Sequence, residues 1–283
     1  QRSKDSRMAF RLTLLDLPNL LALLDWLEAQ VAADPAQAER ASDLAGSIES
    51  LLAPLSRPQA LARAVAVREA ATAAIPEWGN ARFNDERLRI ERLLQQGDLQ
   101  AAYARAQALL KKAKASGPSA YAGADYDLAM AHWLLGRVLK KGGQAGPALP
   151  LLTEAQRLFE ALESEDAARM AAVALTDQAD CLAALGRLDA AAARYQEAIE
   201  RSEALDYVRQ VAAGKGQLAT VRLLQKRYAD ALAGHEEARA IFEQQNEPRE
   251  VAVAWHQMGR VHQEAGAYDA AEAAYRKSLA IET

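Results

Sequence analysis

His235-Glu236-Glu237-Ala238-Arg239 comes near a metal-binding arrangement in this 283-residue chain. Two histidines one helical turn apart, with a glutamate between them, would place a zinc ion and a general base on one helix face. Here Arg239 stands at the second ligand position, and a guanidinium has no lone pair to offer a cation. Gly214-Lys215-Gly216 has the lysine of a phosphate-cradling loop. It lacks the earlier glycine, the following Ser or Thr and a preceding strand. Gly142-Gly143-Gln144-Ala145-Gly146 follows a helical stretch and reads as a turn between helices. His256 and His262 are six residues apart, so a helix sends them to different faces. Cys181 falls inside a helical pattern, where a small packing role outweighs a nucleophilic one. No Ser/His/Asp or Cys/His arrangement is suggested by spacing. The expectation is a non-enzymatic chain with no cofactor and no metal.

The elements that carry these residues repeat. Ala191-Ala192-Ala193-Arg194-Tyr195-Gln196-Glu197-Ala198 aligns with Ala231-Leu232-Ala233-Gly234-His235-Glu236-Glu237-Ala238, and again with Ala271-Glu272-Ala273-Ala274-Tyr275-Arg276-Lys277-Ser278, at an offset of 40 residues each time. His235 thus occupies an aromatic position of the repeat. Gly186, Lys226 and Gly266 lie five residues before the blocks, where a turn is expected. Fainter copies run upstream from Gly143 through Ala148 and Ala155, and from Gly97-Asp98 through Ala102 and Ala106. The Gly143 copy is 43 residues before Gly186, with Glu163-Ser164-Glu165-Asp166 the expected place for the excess. A fixed period in this range signals a solenoid whose units bury their apolar faces against neighbours. Five helical hairpins are expected over residues 81–283, with turns near 97, 143, 186, 226 and 266. Asp98, Asp189, Asp230 and Asp269 fall in the first turns of second helices, where negative charge complements the helix dipole.

Trp255-x2-Met258-Gly259-x2-His262 followed by Ala271-x3-Tyr275 resembles the tetratricopeptide pattern W-x2-L-G-x2-Y…A-x3-F. The copies at Leu175, Gln178, Ala179, Leu182 and at Lys215, Leu218, Ala219, Arg222 keep small and apolar positions but lack the tryptophan. The resemblance implies an all-α, right-handed superhelical solenoid of antiparallel hairpins, and the 40-residue offset with the helical faces leads to an expectation of some thirteen helices. It also implies that the first helix of each hairpin lines a concave binding face. On that basis the candidate protein-binding stripe is Trp133, Arg137 and Lys140, then Thr176 and Asp180, then Thr220, then His256, Arg260 and Gln263. A register shift of one residue would instead make Trp133 a core anchor like Trp255.

Residues 1–80 lack the Gly…Ala spacing and read as degenerate hairpins, a cap or a linker. A helix is expected to open at Asp16-Leu17-Pro18, a second to span Ala36 to Ala53, and a third Pro58 to Ala74, with Pro35, Pro58 and Pro76 as punctuation. Leu17 to Trp26 resembles the first helix after the nucleotide-binding module of bacterial STAND-type signalling ATPases. The chain starts at Gln1 and stops where a second helix should still be running, so a fragment truncated at its C-terminus is expected.

Net charge is −4 with mixed signs along every helix, which leaves no broad footprint for nucleic acid. Lys111-Lys112-x-Lys114 and Lys140-Lys141 sit at expected helix C-termini. No apolar run reaches membrane-spanning length, since Asp16, Pro18, Asp25 and Glu28 interrupt Leu12 to Ala32. One cysteine excludes an intrachain disulfide framework and fits a reducing, cytoplasmic compartment. Two functions of different class are expected. The first is a protein or peptide scaffold forming the sensor arm of a larger signalling protein. The second is a small-ligand or signalling-peptide receptor with a closed pocket around Trp133. Self-association through the array is a third reading.

Overall fold

A computed structural model describes residues 6–34, 37–53, 55 and 57–282. Pro35 and Ala36 lie outside the described residues. Among those described there are thirteen α-helices and no strand: α1 Ser6–Ala33, α2 Ala38–Leu52, α3 Pro58–Ala74, α4 Asn80–Gln96, α5 Leu99–Ser116, α6 Ala124–Lys141, α7 Ala145–Glu160, α8 Glu165–Ala184, α9 Leu188–Ala204, α10 Val208–Leu224, α11 Tyr228–Gln244, α12 Pro248–Glu264 and α13 Tyr268–Glu282. The fold is an all-α solenoid of helical hairpins. Its contacts gather into two compact units, and the division runs through α6 between Val138 and Leu139.

In the C-terminal unit the period is finer than the sequence repeat. Gly186, Asp206, Lys226, Asn246 and Gly266 all have positive φ, so a left-handed residue recurs every 20 residues and the helices α8 to α12 end alike. Each is the C′ residue of a Schellman motif. After α8, Gly186 N–H donates to Ala183 O at 2.9 Å and Arg187 N–H to Leu182 O at 2.9 Å; after α10, Lys226 N–H donates to Leu223 O at 2.8 Å and Arg227 N–H to Arg222 O at 2.9 Å. Glycine meets this geometry without strain, whereas lysine meets it at a steric cost.

Between these turns, small residues let the helices close. A Cβ at Gly259 would lie 2.6 Å from Tyr275 Cε1, so the α13 ring fills the notch that glycine leaves in α12. At Gly234 of α11 a Cβ would lie 2.9 Å from the Ala219 methyl of α10. Ala191, Ala231 and Ala271 are buried at equivalent places, and Tyr195 and His235 are buried one turn on. The expected packed face of α12 is only partly its buried one. Gly259 is buried, but Trp255, Met258 and His262 are half-buried, while Val251, Ala252, Ala254 and Val261 supply the rest of the contact.

In the N-terminal unit, Leu24, Ile48, Leu52 and Val67 form a core joined by Leu14, Leu17, Leu20 and Leu21 of α1. The expected helix start at Pro18 is corrected: α1 begins at Ser6 and carries Pro18 in its interior. A proline there removes one backbone bond. Burial of Leu14 and Leu17 on the core, upstream of that break, offsets the loss. The second helix starts at Ala38, and the third spans Pro58–Ala74 as expected. Arg68 is 1% exposed and ties the unit together. It donates to Glu49 at 2.7 Å and pairs with Asp85, while Arg92 reaches the other Glu49 oxygen at 2.9 Å. These charges join α2, α3 and α4. A buried ion pair is costly unless every partner is present, so this network specifies how the three helices meet.

Candidate docking face

The candidate stripe falls on the first helices α6, α8, α10 and α12. In the C-terminal unit its members divide into satisfied and open groups. Lys140 donates from Nζ to both Asp177 and Asp180, and Asp180 also accepts from the Tyr195 hydroxyl. Burial opposes the Lys140 charge, but the two carboxylates hold its pKa above the ordinary lysine value. Burial, with Asp180 beside it, raises the Tyr195 pKa. Lys140 and Asp180 therefore join α6 to α8 and α9 rather than standing as separate ligand-seeking charges. Thr176 Oγ1 donates to Ala172 O at 3.2 Å and accepts from Gln210 Nε2 at 3.1 Å, and Thr220 Oγ1 donates to Gly216 O at 3.1 Å.

On α12 the stripe opens to solvent. His256, Arg260 and Gln263 are exposed. The His256 ring lies 5.2 Å from the Tyr275 ring, the Tyr275 hydroxyl donates to Gln263 Oε1 at 2.8 Å, and Arg260 Nη1 donates to Gln257 Oε1 at 2.9 Å. These contacts set the His256 imidazole beside the Tyr275 ring, with Arg260 one turn further along α12.

In the N-terminal unit Trp133 is buried, with the Arg137 guanidinium 5.0 Å from its ring centre. The core-anchor alternative fits this placement; Arg137 is half-buried over the ring. Sequence reasoning missed a second polar row here, Asn80, Asn84, Arg87 and Glu91 on α4. Asn84 Nδ2 donates to Asn80 Oδ1 at 2.8 Å, Arg87 Nε to Asn84 Oδ1 at 3.3 Å and Arg87 Nη1 to Glu91 Oε1 at 2.9 Å. Its spacing of i, i+4, i+7, i+11 was present in the sequence and is the signal of one helix face.

The motifs first weighed for chemistry have structural places. Gly214-Lys215-Gly216 lies inside α10, not in a loop, and Lys215 Nζ donates to Glu237 at 2.6 Å. His235 is buried; burial, with Arg260 nearby, lowers its pKa to about 4. Arg239, at the would-be second ligand position, lies over the Trp255 ring at 4.8 Å, with Lys277 Nζ at 4.0 Å. Cys181 is buried, and that burial pushes its thiol up to about 11. Among the described residues no three His, Cys, Asp or Glu side chains gather as a metal site, and no helix is long and apolar enough to cross a membrane.

No curated protein matches the sequence. Solved structures do match the fold. BtubC (BKLC) from P. vanneervenii is 17% identical with a TM-score of 0.58, over 94% of this chain and 91% of that one. A Rap protein complexed with Competence and Sporulation Factor is 15% identical with a TM-score of 0.68, over 96% of this chain and 77% of that one. A putative kinesin light chain from Podosopora anserina, with nearly identical TPR-like repeats, is 17% identical with a TM-score of 0.58, over 71% of this chain and 95% of that one. The tetratricopeptide repeat family profile matches residues 210–282, the stretch from α10 to α13 where the 20-residue beat and the Gly259–Tyr275 contact are clearest. Residues 210–282 are thus recognised as tetratricopeptide repeat, and the solved structures share the fold over most of the chain.

Proposed function

We propose that this chain is a non-catalytic interaction module that holds a protein or peptide segment against its first-helix face, as the sensor or scaffold arm of a larger cytoplasmic signalling protein. The observation that carries the proposal is the open end of the stripe. His256 and Arg260 are both exposed on α12, and the His256 ring stands beside Tyr275, offering donors and an aromatic surface. Aromatic and arginine side chains are the types that dominate interface energetics. A similar fold in complex with the Phr* peptide, the Rap conjugation gene regulator of plasmid pLS20, supports the reading. The burial of Trp133 beneath Arg137 favours it over a small-ligand pocket built around that indole.

The test is a random peptide library panned against the wild-type chain, followed by titration of the selected peptides. His256→Ala combined with Arg260→Glu is expected to weaken them at least about tenfold, since each anchor contributes roughly 1–2 kcal/mol, with an unchanged melting temperature. Peptides that bind the double variant equally well would remove α12 from the docking face.

A further inference from the structure

The face that α9 and α11 bury against the next helix is open on α13. Ile199 of α9 is 4% exposed, and a Cβ at Gly214 of α10 would lie 2.9 Å from its Cγ1. Arg239 of α11, at the equivalent position, lies over the Trp255 ring of α12 at 4.8 Å. Leu279 is the α13 equivalent and is 61% exposed. Tyr268 is 71% exposed, whereas Tyr228 at the same position of α11 is half-buried. An open groove of about 440 Å³ runs from Tyr268 to Leu279, lined also by Glu272, Tyr275 and Arg276. The two earlier contacts show that a face of this shape receives a helix.

The residues of α13 fit a second α13. Tyr268, Glu272, Tyr275 and Leu279 are spaced four, three and four residues apart, which makes them a seam along one helix face. That spacing reads the same in both directions. An antiparallel copy, centred between Ala273 and Ala274, therefore sets Tyr268 opposite Leu279 and Glu272 opposite Tyr275, each pairing made twice. The charges beside the seam have the matching order. Asp269 and Glu272 lie in the first half of the helix and Arg276 in the second. Asp269 and Arg276 are seven residues apart, on one flank of the seam. Reversal therefore brings the acidic half of each copy to the arginine of the other. Arg276 is held in its own helix by Glu272 at 2.6 Å, but the two side chains are 78% and 61% exposed. An exposed pair of this kind is worth little and exchanges readily for a cross-chain one.

We propose that two copies of this chain pair through α13, antiparallel about a two-fold axis passing near Ala273 and Ala274. The interface is isologous: Tyr268 packs on Leu279 of the other copy, and Asp269 and Glu272 face its Arg276. The opposed helix dipoles also attract. One helix face from each copy is small beside the roughly 800 Å² per partner of a standard interface. The pair therefore exchanges with single chains, with a dissociation constant on the order of 10 μM. The pairing uses α13 and does not depend on the docking role of His256 and Arg260 on α12.

Sedimentation of the 283-residue chain tests the pairing. Between about 1 and about 200 μM, the mean mass is expected to rise from 30.6 kDa toward twice that value. Two variants then make the flank uniform in charge. Arg276→Glu leaves it wholly acidic, and Asp269→Lys with Glu272→Lys leaves it wholly basic. All three positions are exposed, so melting temperatures and far-ultraviolet spectra should match the wild type. Each variant alone is expected to pair at least about tenfold more weakly, because like charges now meet at both ends. An equimolar mixture of the two is expected to pair again, since every contact then joins opposite charges. Leu279→Asp is expected to keep the chain single. A wild type that stays at 30.6 kDa, as it would if the face seats a helix of another protein, overturns the proposal. A dimer that survives unweakened in either charge variant, or a mixture that remains single, overturns it as well.

Discussion

Gly259→Ala should destabilise this protein although alanine is the better helix former. Removing a glycine from a helix interior gains about 1 kcal/mol. Against that, the new methyl would stand 2.6, 2.7 and 3.0 Å from Cε1, Cδ1 and Cζ of Tyr275, where ordinary contact begins at 3.4 Å. The ring would have to retreat by about 0.8 Å, the difference between 2.6 and 3.4 Å. It is held by its hydroxyl bond to Gln263 at 2.8 Å and by the His256 ring at 5.2 Å. Overpacking of this kind costs about 1–3 kcal/mol, and a lost hydrogen bond about 1 kcal/mol. The net expectation is a loss of roughly 1–2 kcal/mol after the helix gain. In a Tyr275→Ala background the notch is empty, so the same substitution should stabilise by about 1 kcal/mol. Urea unfolding of the four-member cycle, followed by far-ultraviolet circular dichroism, reads both signs. If Gly259→Ala stabilises equally with and without the ring, the argument that glycine serves the α12–α13 contact fails.

Three further outcomes follow from the C-terminal unit. His235 has its folded pKa lowered from 6.5 to about 4 by burial, so its contribution is complete above pH 6.5 and is lost as pH falls toward 4. The shift corresponds to roughly 3 kcal/mol. The stability difference between wild type and His235→Phe should therefore change between pH 7 and pH 4, and a constant difference would mean that the imidazole is not buried as described. Lys226→Gly relieves a side chain held at φ 61° and should stabilise by about 0.5–1 kcal/mol. Asn246→Gly, at φ 55°, should gain less because asparagine tolerates this conformation. A loss of stability on Lys226→Gly would refute the turn geometry.

The hairpin rhythm was legible because it is local. Ala191, Ala231 and Ala271 recur at 40 residues, and turns were expected at Gly97, Gly143, Gly186, Lys226 and Gly266, each of which has positive φ. The intermediate turns at Asp206 and Asn246 were not singled out. Neither residue is a glycine, and a left-handed aspartate or asparagine looks like any other polar loop residue in sequence. Pro18 misled for the opposite reason. A proline near an apolar run suggests a helix start, yet burial of Leu14 and Leu17 on a core made by other helices carries α1 through it.

The candidate face was legible only in outline. The sequence by itself determined that Trp133, Arg137 and Lys140 would share one face of α6, and His256, Arg260 and Gln263 one face of α12, because spacing of i, i+4, i+7 places residues on one helix face whatever surrounds them. Only the tertiary structure decided which members remain open. Lys140 meets Asp177 and Asp180 across some 40 residues of chain, Gln210 reaches Thr176 from the next hairpin, and Asp127 gathers Asn80 and Tyr121 from separate elements. Helical periodicity is a property of neighbouring backbone dihedrals and can be read along the chain. Pairing and burial depend on which distant side chains arrive at the same place, and that is set by how the helices pack.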